Sequence, residues 1–144
     1  MAEATMTQMV EAVHALLQAE LTGCVVEQGN KDEAPTVTTA YVRRKGDSPD
    51  TGLYLTGDVT EGIFKRVSIE VMLESPMVGE AAEEELDDLR EAVRGIVQAN
   101  RDLSIAGADD PADGRDEGCE CVYVYRPGRT TPNSGRRITA SWRV

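Results

Sequence analysis

The chain has 144 residues, the length of one folding domain, and a formal charge of −11. Such acidity repels phosphate, and one Phe, four Tyr and one Trp give little ring surface for stacked bases, so the composition argues against a protein that grips nucleic acid. Cys24, Cys119 and Cys121 make an odd number without a secretion signal, which points to reduced thiols, and no apolar run approaches the length of a membrane span.

The first predicted element is a helix in which Met6, Met9, Val10, Val13, Leu16, Leu17 and Leu21 recur at spacings of three and four. Thr5 or Thr7 caps its start, and Gly23 is expected to end it in a left-handed turn. His14 lies beside the apolar stripe and, with no second histidine to join it, reads as a boundary packing residue. "CVVEQ" (24–28) is a short strand, and "TVTTAYVRR" (36–44), rich in β-branched residues, is a better one. "KGDSPDTG" (45–52) reads as a turn-rich loop, "LYL" (53–55) as a brief strand and "TGDVTEG" (56–62) as another loop. "IFKRVSIEVMLES" (63–75) alternates cleanly. Val67, Ile69, Val71 and Leu73 point one way, and Arg66, Ser68, Glu70, Met72 and Glu74 the other.

Pro76 and Gly79 break that strand, and a helix follows to about Asn100 with a core stripe of Leu86, Leu89, Val93, Ile96 and Val97. Its acids, Glu80, Glu83, Glu84, Glu85, Asp87 and Asp88, crowd the first half, and Arg90 and Arg94 come later, an order that suits the helix dipole. Residues 101–118 read as a long acidic loop. Two closing strands, "CECVYVYR" (119–126) and "RRITASWRV" (136–144), flank a polar loop, "PGRTTPNSG" (127–135), that is longer than a hairpin needs. The surplus is either a mobile tip or an arm that reaches a partner. From Arg126 to the end there are five arginines and no carboxylate side chain, so the basic end complements the rest. That suits a protein that meets copies of itself, or a basic strand lying beside its own acidic neighbours.

Chemical motifs are sparse. Asp50-Thr51-Gly52 matches the triplet of aspartic proteases, but a polar, turn-forming lead-in is not the rigid apolar-backed turn that a shared-proton carboxylate pair needs. Asp109, Asp113, Gly114 and Glu120 fall at positions one, five, six and twelve of a calcium loop, but Pro111 at the third cannot ligate by its side chain. An acidic surface loop is the plainer reading of residues 109–120, with a divalent-cation site left open. The Cys119-Glu120-Cys121 pair lacks two further ligands of suitable spacing for zinc, so core-filling cysteines are expected. No catalytic residue, metal-ligand set or cofactor is expected from these motifs.

The element order is helix, two or three strands, one long alternating strand, an amphipathic helix, then a hairpin whose last strand ends the chain. In this order, with "RVSIEVMLES" leading into "LDDLREAVRGIV" and the chain closing on "RRITASWRV", the sequence resembles the tail terminator proteins of long-tailed bacteriophages and their head–tail joining relatives. The expected fold is a single α+β domain over residues 1–144, a mixed or antiparallel sheet packed against two main helices. The resemblance implies structural work rather than catalysis: a ring, hexameric in that family, at the head-proximal end of the tail tube. Such a ring stops tube polymerisation, joins tail to head and lets DNA pass through without specific binding. The implied partners are copies of itself, the tail tube protein and the head completion or connector protein, with no membrane. The implied place is the virion tail or neck, and the host cytoplasm during assembly. On this reading Arg126, Arg129, Arg136 and Arg137 are candidates for the contact between subunits. Glu84, Asp87, Asp88 and Glu91 are the acids that meet them or face a channel. The alternatives are another neck or tail-tube component, a small acidic inhibitor or immunity protein that binds a basic partner, and a metabolite-binding regulatory domain, which would need a pocket.

Overall fold

The structure is a computed structural model and describes residues 5–29, 33–49, 65–103 and 113–143. The elements are α1 (Met6–Glu20), β1 (Val25–Gln28), β2 (Thr39–Pro49), β3 (Lys65–Glu74), α2 (Glu80–Ala99), β4 (Asp113–Val124) and β5 (Asn133–Arg143). The five strands form one sheet in the order β1-β2-β3-β5-β4. β1 runs parallel to β2 and every other neighbour is antiparallel, so the α+β fold with a mixed sheet and two helices is the one found. The expected "LYL" strand, the Asp50-Thr51-Gly52 triplet and Asp109 lie outside the described residues.

Thr5 is the N-cap of α1. Its hydroxyl accepts from the Gln8 backbone N–H, and the Gln8 side chain accepts from the Thr5 N–H, so two otherwise unpaired donors are satisfied reciprocally. α1 stops at Glu20, with Leu21 already extended, three residues before the expected stop. Gly23, at φ +92°, makes the left-handed bend into β1 instead. The alternation read in β3 is real. Val67, Ile69, Val71 and Leu73 are at most 1% exposed, and with Ile138, Ala140 and Trp142 of β5 they form the sheet side of the core. Met9, Val10, Val13 and Leu17 of α1 and Leu86, Leu89, Val93 and Val97 of α2 cover that side. Among the described residues, no helix lies on the opposite sheet face.

Three strands also differ in extent from expectation. β2 runs on to Pro49 through the segment read as a loop, because Gly46 to Pro49 find partners on Ser68 to Lys65, with a bulge between Arg44 and Gly46. β4 begins at Asp113, not Cys119, since Asp113–Asp116 pair with Arg143–Ala140 before a second bulge between Asp116 and Gly118. β5 begins at Asn133 rather than Arg136. Asn133 and Ser134 are held by pairing with Val124 and Tyr123 and by a Ser75 N–H donating to the Ser134 carbonyl at 3.1 Å. Gly135 is required here, as a Cβ would stand 2.7 Å from the Leu73 carbonyl oxygen. Placing Asp113 and Glu120 seven residues apart on one extended strand separates them by about 23 Å, so the calcium-loop geometry is not formed. Cys119 and Cys121 are exposed, not core-filling, because β4 is an edge strand that α2 covers only partly.

Candidate assembly surfaces

The arginines of the closing hairpin are engaged in different ways. Arg126 clasps the carboxylate of Glu74, which is fully buried. The guanidinium donates from Nε at 3.0 Å and from Nη2, and the Asn133 amide adds a third hydrogen bond at 2.8 Å. Arg126 also stacks on Tyr41, 5.7 Å from the ring centre. Burial raises the Tyr41 pKa, reinforced by the Glu74 carboxylate. Arg136 emerges on the helix side of the sheet, 4% exposed, and is held by Glu83 and Asp87 of α2, the latter at 2.9 Å. Burial alone would disfavour its charge, but the hydrogen bonds of Glu83 and Asp87 raise its pKa. The Glu83 carboxyl is correspondingly held below its ordinary value, by the Arg136 hydrogen bond first and the Ser134 one second. Arg137 points to the opposite face and joins Glu70 at 3.1 Å and Glu120 at 3.4 Å. Arg43 meets Glu70 at 2.6 Å, so alternating charges cross four strands as Arg43, Glu70, Arg137, Glu120. Charge patterning alone left this ladder unread, because each member is distant in sequence from its partner.

Arg129 stands apart. Arg126-Pro127-Gly128-Arg129 is a type II turn. Pro127 presets the second position, Gly128 has φ +78°, and the Arg129 N–H donates to the Arg126 carbonyl at 3.2 Å. The Arg129 side chain is exposed and makes no ion pair with another described residue. On α2, Glu84, Asp87, Asp88 and Glu91 are exposed at spacings of three and four and so share one outward stripe. Among the described residues Asp87 alone of the four has an ion-pair partner, Arg136, while its side chain remains 67% exposed.

One further pattern escaped the sequence reading. The exposed large apolar residues among those described are Val25, Val37, Met77, Val78, Tyr123 and Tyr125. β1 and β2 begin, and β3 and β4 end, at one end of the sheet, and all six residues lie there or in the adjoining turns. The signal available was the Tyr123–Tyr125 pair in a polar context, but only the topology brings it level with Met77 and Val25. Below it, on the face opposite α1 and α2, an open groove of about 450 Å³ is lined by Tyr41, Met72, Glu74, Tyr125 and Arg126 among others. No cluster of three metal-ligating side chains occurs among the described residues.

No protein-family model and no curated protein matches the sequence. Among solved structures, the chain is similar to the PVC sheath/tube terminator of an extracellular contractile injection system, determined by cryo-EM in its extended state. The two share 11% identity and superpose with a TM-score of 0.55. The match covers 100% of this chain and 58% of that one, so the present chain spans little more than half the terminator's length. The fold anticipated from the order of elements, that of a tail terminator, is the fold this chain has.

Proposed function

We propose that the chain is a structural subunit, one domain, that joins copies of itself into a ring and caps a tail tube, with no catalytic role. The observation that carries this reading is the whole-chain fold likeness to a sheath/tube terminator. The charge map supports it: an outward acidic stripe on α2 and an outward arginine at the hairpin tip lie on different elements, as a head-to-tail contact between copies requires. Arg129 and the acids Glu84, Asp88 and Glu91 are the groups offered to a neighbour. Arg126, Arg136 and Arg137 act by fixing the hairpin against β3 and α2. A hexamer at the head-proximal end of the tube, contact with tube and connector proteins, and residence in the virion complete the proposal. An acidic lining lets DNA slide past without adhesion.

The experiment is assembly state. Sedimentation and negative-stain imaging of the purified chain, alone and with polymerising tube protein, should give a ring or a capped tube of limited length. A chain that remains monomeric and leaves tube length unchanged overturns the proposal.

A further inference from the structure

We infer that the ring is closed by strand pairing, the free edge of β4 over Cys119–Val124 receiving the β1 edge of the next copy. This rests on the ring reading above and specifies its joint.

The two edge strands of the sheet are unequal in length but level in height. Following the register across the sheet, Val25 aligns with Thr39, Glu74, Gly135 and Val122, and Gln28 aligns with Val42, Val71, Ile138 and Cys119. The four residues of β1 therefore stand at the height of Cys119–Val122 on the far edge. β1 and β4 run in opposite directions, so two copies side by side would meet as an antiparallel pair, which suits a short segment. Edges at equal height add no rise from copy to copy, which favours a closed ring over a climbing filament.

The protection of β4 is confined to its other half. Edge strands avoid unwanted pairing through charges and bulges. Asp113, Arg115, Asp116 and Glu117 carry charge, and the bulge lies between Asp116 and Gly118. Beyond it, Cys119–Val124 holds a single charge, Glu120, already joined to Arg137. Exposed apolar groups flank both edges at that same height, with Val25 (45% exposed) and Val37 (52%) at one and Tyr123 (68%) and Tyr125 (73%) at the other. Pairing covers both sets. The level register also sets Glu27 opposite Glu120, a like-charge contact that Arg137 moderates and that salt screens.

The test uses the thiols already on β4. In a Gln28→Cys variant, the new sulfur and that of Cys119 face the helix side of the joined sheet at adjacent positions. A short bismaleimide should give a ladder of covalent oligomers ending at one closed size, lost when Cys119 and Cys121 are both serine. Tyr123→Lys, a change at an exposed side chain that leaves the fold intact, should weaken assembly at least tenfold. Assembly that persists in Tyr123→Lys, with no ladder in Gln28→Cys, overturns the strand joint and leaves the ring standing. Absence of both assembly and ladder overturns the ring and the joint together.

Discussion

Replacing Glu74 by alanine tests how the closing hairpin is held. Its carboxylate has no solvent exposure, and the Arg126 side chain facing it is 9% exposed. Glu74 is shut off from solvent and Arg126 nearly so, so removal of the carboxylate takes the two-pronged acceptor from the guanidinium and a hydrogen-bond acceptor from the buried Asn133 amide. Breaking one side of such a pair costs about 3–5 kcal/mol. With an unfolding slope of about 2 kcal/mol/M in urea, the midpoint should fall by roughly 1.5–2.5 M. The assay is urea unfolding followed by circular dichroism at fixed protein concentration, since assembly shifts apparent stability. The cycle is completed with Arg126→Ala and the double variant. The double variant should be more stable than the two single losses added together imply, by about 2 kcal/mol or more, because the second truncation removes the charge that lost its carboxylate. Strict additivity, or a loss below about 1 kcal/mol for Glu74→Ala, would refute the claim that this clasp is dry and mutually dependent.

The Arg136 clasp predicts a pH signature. Glu83 has a folded pKa below its ordinary 4.5, so its contribution is complete above that value and disappears as pH falls through the lower folded value. The urea midpoint should drop in that acid window, and Glu83→Gln should flatten that part of the profile. Two glycines should respond in opposite directions. Gly95 in α2 has nothing within 4 Å of an added Cβ, so Gly95→Ala should stabilise by about 0.5–1 kcal/mol, whereas Gly135→Ala drives a methyl to 2.7 Å from the Leu73 carbonyl oxygen and should destabilise, both read by thermal unfolding. Cys24, its thiol pushed up to about 11 by burial and then by Glu85, should react with iodoacetamide more slowly at pH 8 than Cys121, which peptide mapping of the alkylated chain would resolve.

What the sequence revealed and what it hid divide along a physical line. The period of two across Val67–Leu73 and the stripe of α2 are imposed by burial on one side, and burial is written locally into residue choice. β2 beyond Lys45 and the first half of β4 have turn-like, charged sequences. They are strands because distant backbone pairs with them and because Arg90 reaches Asp116 at 2.8 Å and Ser141 reaches Glu117 at 2.6 Å. The arginines show the same divide. That a basic tail seeks acids was legible, but the commitment of Arg136 to Glu83 and Asp87 of its own chain depends on β5 lying beneath α2. The level alignment of β1 with the far edge is likewise a property of four registers at once, which no single segment encodes.

Trp142, the only tryptophan, is fully buried, with Gly114 backed against its indole so closely that an added Cβ would fall 2.3 Å from Nε1. The chain thus contains its own optical probe, sealed from solvent and lying over Gly114, in the half of β4 away from the Cys119–Val124 edge. Its fluorescence should be blue-shifted and hard to quench with iodide. Because joining subunits leaves that environment untouched, the emission follows folding alone while light scattering follows ring growth, and the two processes separate in one cuvette.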